Sequence, residues 1–155
     1  MRTLSLLKGM PVYDNGTIIG HVSDLVISDG GSVKGLLMDM DSLFKKARLL
    51  PLCDVLSFGG DGLTAKTESL IPYSHDQVYT LRHQRDLTGK KIINDYGEEM
   101  GLLEDVYFTE QLGTIVAYEI SNGFFSDLRD GKQLIHVRKP PTLGKDAIII
   151  STLEK

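Results

Sequence analysis

Apolar positions along this chain come in short runs, separated by small clusters of Gly, Asn, Asp and Ser. Ile18 to Ser28, Val33 to Met40, Met100 to Thr109 and Thr114 to Ile120 are rich in β-branched, aromatic and other apolar residues, and each reads as a strand. The residues between them are turn formers. Asp14-Asn15-Gly16 and Asn94-Asp95-Tyr96-Gly97 read as hairpin turns, because Asn, Asp and Gly tolerate positive φ. Asp29-Gly30-Gly31 and Gln111-Leu112-Gly113 read as further turns. Shorter strands are predicted at Ala47 to Leu52, Leu56 to Phe58 and Leu63 to Lys66, then at Gln133 to Arg138 and Ala147 to Ser151. The one helical signal lies midway. Ser74 followed by Gln77 is a capping-box pattern, and Val78 and Leu81 share a helical face, which predicts a short helix over about Ser74 to Gln84. Short strands at this spacing predict small closed barrels or sandwiches.

The chain repeats itself. Leu7-Lys8-Gly9, Val12-Tyr13-Asp14-Asn15-Gly16 and Ile19-Gly20-His21-Val22-Ser23-Asp24-Leu25-Val26-Ile27 recur as Leu87-Thr88-Gly89, Ile92-Ile93-Asn94-Asp95-Tyr96-Gly97 and Met100-Gly101-Leu102-Leu103-Glu104-Asp105-Val106-Tyr107-Phe108. The offset is 80 residues up to the hairpin turn and 81 after it, so the second turn holds one extra residue. At an offset of 82, Val33-Lys34-Gly35-Leu36 matches Ile115-Val116-Ala117-Tyr118. Gly9, Gly16, Gly20 and Asp24 thus stand against Gly89, Gly97, Gly101 and Asp105. Glycine inside a strand marks a bulge or a close backbone approach. An aspartate inside an apolar run accepts backbone N–H bonds at a turn or bulge. These eight residues are therefore read as a structural motif.

Composition narrows the class. The chain has 155 residues, 41% of them apolar and 25% charged, which suffices for a core and excludes wholesale disorder. Seventeen basic against 21 acidic residues give a net charge of −4. That argues against a protein that coats duplex DNA. No apolar run reaches the roughly 18 to 20 residues that span a bilayer, and the patch at Leu4, Leu6 and Leu7 lacks the features of a signal peptide. The single cysteine, Cys53, excludes an internal disulfide and a Cys-rich zinc site. The expected location is the cytoplasm.

The run Gly-x-x-Val-x-Asp-x-Gly followed by Ile-Gly-x-Val-x-Asp, carried by Gly9, Val12, Asp14, Gly16, Ile19, Gly20, Val22 and Asp24, resembles the PRC-barrel domain. The second copy carries Gly89, Ile92, Gly97, Met100, Gly101, Leu103 and Asp105. Arg48-Leu49-Leu50-Pro51-Leu52-Cys53-Asp54-Val55 looks like the family's strand that ends in a proline turn, whereas Leu134-Ile135-His136-Val137-Arg138 has no proline at the matching place. The resemblance implies an all-β chain of two tandem small β-barrels joined by a short helix. The expected bounds are 1–70 for the first barrel, 71–86 for a helical linker and 87–151 for the second barrel. The family includes the cytoplasmic domain of the photosynthetic reaction-centre H subunit, a domain of a factor that matures the small ribosomal subunit, and stand-alone bacterial proteins, which this chain looks most like. In those cases the barrel is a docking platform. The resemblance carries over no catalytic residue and no cofactor.

The residue chemistry offers few sites beside it. Asp39-Met40-Asp41 alternates like a calcium loop, but Leu43, Phe44 and Leu50 fall where such a loop needs a ligand, a glycine and a glutamate. His21, His75, His83 and His136 have no zinc spacing. Cys53 has no histidine near it in sequence, and Gly59-Gly60-Asp61-Gly62 enters a strand where a phosphate loop would enter a helix. The chain is thus expected to have no metal site and no catalytic site.

The functional expectation rests on two loop tips. Asp41 to Arg48 mixes Phe44 with Lys45 and Lys46, and Asn122 to Lys132 carries Phe124 and Phe125 among charges. An exposed loop phenylalanine that does not pack at home suits a contact. Phe44, Lys45, Lys46, Phe124 and Phe125 are therefore the candidate partner-binding residues. The leading reading is a non-catalytic adaptor that docks a protein partner. The alternatives are an accessory role in RNA metabolism through a ribosomal protein or RNA-linked complex, and a small-ligand binder or enzyme using the cleft between barrels. A homodimer is also open.

Overall fold

The computed structural model describes residues 1–40, 46–74, 78–82, 86–122, 131, 133–137 and 139–151. One helical turn, α1 (Leu4–Leu7), precedes a first sheet built from β1 (Pro11–Asp14), β2 (Thr17–Ser28), β3 (Val33–Met40), β4 (Arg48–Pro51), β5 (Ser57–Phe58), β6 (Leu63–Thr64), β7 (Ile71–Pro72) and β8 (Val78–Thr80). The second sheet takes β9 (Lys91–Ile93), β10 (Glu99–Phe108), β11 (Ile115–Ser121), β12 (Gln133–His136), β13 (Thr142–Leu143) and β14 (Ala147–Ile149). The strand orders are β5-β6-β1-β2-β3-β4-β7, with β8 also on β2, and β12-β11-β10-β9-β14-β13. The protein is all-β with the expected duplication. Among the described residues each sheet wraps as an open path and does not close its own ladder.

The repeat extends to the irregularities. β1 and β2 form a hairpin whose turn residues Asn15 and Gly16 are both left-handed, with φ of 49° and 81°. Two successive left-handed residues give the tight turn that matches strand twist. On β2 the pairing with β1 skips Ile19, and on β10 the pairing with β9 skips Met100. The β2–β3 ladder skips Ser23 and the β10–β11 ladder skips Glu104, so Asp24 and Asp105 each follow a one-residue bulge. A third bulge leaves out Lys34 on β3 and Val116 on β11. A bulge bends its strand and re-aims the next side chain, which turns both aspartates away from solvent.

Each sheet also has one parallel pairing, β1 with β6 and β9 with β14. The last strand pairing of the second half is an antiparallel β13–β14 ladder, and His136 occupies the place of Pro51.

The joining segment corrects the sequence reading. A helix was expected over residues 74–84, but Val78–Thr80 form β8, antiparallel to Ser28, Ile27 and Val26. Residues 75–77 and 83–85 lie outside the described residues. Val78, Tyr79 and Thr80 are β-branched or aromatic, and β2 extends past the reach of β1, so its edge offers them a ladder. A helix of one or two turns has to overcome a costly nucleus for few hydrogen bonds.

One continuous core crosses the two halves. Leu4 and Leu7 of α1 pack with Leu25, Ile27, Leu36 and Leu50 of the first sheet and with Phe108, Ile120 and Ile148 of the second. A smaller cluster of Val26, Leu37, Leu49 and Val78, with Tyr73 against it, lies apart. Tyr118, which replaces Leu36 of the first copy, is buried with its hydroxyl unpartnered. Burial pushes its phenol pKa well above the ordinary value.

Candidate partner-binding groove

The two sheets are tied together by exchanged backbone. Asp24 on β2 accepts from the Arg82 amide at 2.9 Å and from the adjacent Leu25 amide at 2.7 Å. Arg82 belongs to the segment that leads into the second sheet. Asp105 on β10 accepts from the amides of Leu4 (3.1 Å), Ser5 (2.9 Å) and Val106 (2.8 Å), and from the Ser5 hydroxyl at 2.6 Å. Leu4 and Ser5 belong to the segment that leads into the first sheet. Both carboxylates are buried. Hydrogen bonds from several N–H groups replace the hydration a buried anion loses. The same exchange appears in the ladders, where Arg2 bridges to Phe108 while Tyr79 pairs with Ile27.

The hairpin tips make a second pair of contacts. The turn between β10 and β11 leans on the first half, where the Val33 amide donates to the Gly113 carbonyl at 2.7 Å. A Cβ on Gly113 would run into the Val33 carbonyl oxygen and lie 3.0 Å from Leu52. Gly31, at the equivalent turn between β2 and β3, sits against Pro141 of the second half.

A groove of about 450 Å³ runs along this junction. Its first wall is Leu52 to Leu56 (Asp54 excepted) with Ser57 and Phe58, and its second is Glu110 and Gln111 from the β10–β11 turn. Arg2 ties the walls together. Its guanidinium donates to Glu110 Oε2 at 3.3 Å and to the Phe58 carbonyl at 3.1 Å, and lies 5.5 Å from the Phe58 ring centroid. Leu56 is 64% exposed in the groove, and Leu112, next to Gln111 in the opposing turn, is 80% exposed. Cys53 is exposed here as well.

Phe44, Lys45, Phe124 and Phe125 fall outside the described residues, and Lys46 is exposed. Gly9, Gly16, Gly89 and Gly97 have positive φ with open space around them, while Gly20 and Gly101 face the strand beside them. Among the described residues no three His, Cys, Asp or Glu side chains converge as a metal ion would require. The sequence offered a cleft between the barrels only as an alternative and named none of its residues, because the two walls of the groove stand more than fifty residues apart in sequence.

Comparison with known proteins places these features. The PRC-barrel domain profile matches residues 1–79 and again residues 80–155. An uncharacterized protein of Bacillus subtilis (strain 168), YrrD, is similar at 34% identity over 151 residues, covering 90% of this chain and 84% of the relative.

Proposed function

The chain belongs to the PRC-barrel domain family and carries the domain twice, and from that premise we propose that it is a non-catalytic binding module that docks a protein partner in the groove between its two halves. The observation that carries this reading is Leu56, a large apolar side chain left 64% exposed in a groove that it lines with Val55 and Phe58. Apolar groups gathered at one site mark interaction surfaces where scattered ones do not. The exchanged backbone on either side holds the walls at a fixed spacing, so the groove is ready before a partner arrives. The partner would present apolar side chains to Val55, Leu56 and Phe58. Among the described residues no helix is long and apolar enough to cross a membrane, and the proposed site of action is the cytoplasm.

The groove's volume favours a second reading, a small ligand in the same place, since it falls within the roughly 300 to 1,000 Å³ of small-molecule sites. One experiment separates the two. A photo-crosslinker at Leu112 is activated in the native host, and captured proteins, RNA and small molecules are identified for the parent and for Leu56→Ser. A protein captured by the parent and lost in Leu56→Ser, at unchanged melting temperature, supports docking. Capture of RNA or a small molecule alone, or protein capture indifferent to Leu56, overturns it.

A further inference from the structure

We propose that the segment docked in the groove is an extended basic stretch of the partner protein, which crosses Leu56 and lays an arginine side chain in a second cavity beside it. This rests on the docking reading above and names what the groove takes. The two halves show that the exposure of Leu56 is a difference between the copies and not a demand of the fold. Leu63 and Thr64 pair in parallel with Val12 and Tyr13, as Ile148 and Ile149 do with Ile92 and Ile93. Phe58 faces Leu63 across the next ladder, as Leu143 faces Ile148. Two residues earlier in each copy stand Leu56 and Pro141, which are therefore equivalent. Pro141 is buried, with Gly31 of the opposing half against it, whereas Leu56 is 64% exposed.

Leu56 lines two cavities at once. One is the groove. The other, of about 550 Å³, lies on the first half between the β1–β2 turn and the residues that follow β6. Tyr13, Asp14, Thr64, Lys66 and Glu68 line it with Leu56. Hydrogen bonds hold its rim in place. Asp14 Oδ2 accepts from the Thr67 amide at 3.0 Å and from the Thr67 hydroxyl at 2.7 Å, and the Ser57 and Thr64 hydroxyls are bonded at 2.6 Å. Leu56 is thus a wall shared by two pre-formed basins. In an extended chain every second side chain points the same way, so a segment that crosses Leu56 can set one side chain in each basin.

Charge and ring chemistry choose the side chain. The charged groups of the second cavity are Asp14, Lys66 and Glu68. Asp14 is answered within the chain. The Thr67 bonds, and after them the Lys66 ammonium, hold its carboxyl below the ordinary carboxylate value. Glu68 leaves the cavity one negative charge in excess, in a chain whose net charge is −4. The groove itself shows how a ring and a carboxylate hold a guanidinium. There Arg2 lies 5.5 Å from the Phe58 ring centroid and donates to Glu110 at 3.3 Å. The second cavity offers the same two kinds of group, the Tyr13 ring and the Glu68 carboxylate, to a guanidinium from outside. Arginine stacks on aromatic faces and meets a carboxylate with a planar fork of donors, where lysine is a point charge. An acidic segment would instead meet Asp14 and Glu68, and like charges set together at an interface cost affinity.

The test selects binders to the full chain from a random octapeptide library displayed on phage. Enriched peptides should combine apolar residues with arginine. The tightest of them, labelled and read by fluorescence anisotropy, should bind Glu68→Lys and Leu56→Ser each about fivefold or more weakly than the parent, and Lys66→Gln more tightly. Replacing its arginine by glutamate should abolish binding to the parent and restore it in Glu68→Lys. Lys66 and Glu68 are exposed, so their variants should fold, and melting temperatures check this. If Glu68→Lys melts lower, Glu68→Gln supplies the same reading. Peptides lost in Leu56→Ser but indifferent to Glu68→Lys overturn the arginine assignment and leave the groove reading standing. Peptides indifferent to Leu56→Ser, or no enrichment at all, overturn it too, and capture at Leu112 then decides the groove reading separately.

Discussion

Asp24 and Asp105 hold equivalent places in the two sheets, and each accepts hydrogen bonds from the segment that leads into the other sheet. The relationship is reciprocal, so neither half completes its own beginning. Thr3-Leu4 and Thr80-Leu81 are the two leading segments, with the same dipeptide and the same burial. Their backbone bonds also correspond, Leu7 and Lys8 returning to Thr3 and Leu4, and Leu87 and Thr88 returning to Thr80 and Leu81.

Asp24→Ala and Asp105→Ala should each lower stability by about 1.5 to 3 kcal/mol, the range for losing a charged acceptor and leaving buried donors unpaired. The asparagine variants keep one carbonyl oxygen and should lose less. Urea unfolding followed by circular dichroism measures this. Because each carboxylate spans both halves, the curve should shift as one transition. A curve that splits in two would show the halves to be independent.

Residues 1–79 and 80–155 expressed separately should each fail to fold, and mixing them should restore the native spectrum. A unit of this size buries only about 60% of its unfolded surface, and each would leave its aspartate without the donors of the other. The check is a proton–nitrogen correlation spectrum of each half and of the mixture. Dispersed spectra for isolated halves that match the intact protein would contradict the exchange.

Tyr118→Phe should stabilise the protein by about 1 kcal/mol, because it removes a buried hydroxyl that has no partner. The pH dependence has a definite sign. With the native pKa raised above the unfolded value near 10, the neutral side chain's contribution is complete below about pH 10 and is lost as pH rises toward the native value. The parent should therefore lose stability in alkali faster than Tyr118→Phe. Parallel alkaline denaturation curves would refute this.

Gly113→Ala should cost more than Gly16→Ala. Both residues are left-handed, with φ of 71° and 81°, so both variants carry a conformational penalty of about 1 kcal/mol. Only at Gly113 would the added methyl meet backbone, the Val33 carbonyl oxygen of the other half; Gly16 has nothing within 4 Å. Melting temperatures of the two variants decide it, and equal losses would mean the junction yields.

Much of this was legible in the sequence. The duplication, the hairpin turns and the longer strands follow from turn residues and apolar runs that recur in order. The leading segments were not legible, because Thr3 and Thr80 are 77 residues apart while Leu7 and Leu87 are 80 apart, so the match breaks between them. Val78 to Leu81 was read as helical from a capping-box pattern at Ser74 and Gln77 and from apolar spacing. Three residues carry too little periodicity to choose, and the free edge of β2, a tertiary feature, decides. α1 is a single turn, begun by the Thr3 hydroxyl accepting from the Leu6 amide and held by Asp105, a hundred residues away. The groove depends on which turn meets which strand, information that no local pattern contains.

The reciprocal exchange at Asp24 and Asp105 has the topology of an arm-swapped, isologous homodimer whose subunits have been joined end to end. Linking them turns a bimolecular assembly into a unimolecular one. The halves meet at an effective concentration in the millimolar range however dilute the protein is. It also releases them from identity. A residue in a symmetric dimer changes twice at once, whereas here one half carries Leu36 and Pro51 and the other Tyr118 and His136. Fusion thus lets each half change a residue of the shared design without changing it in the other.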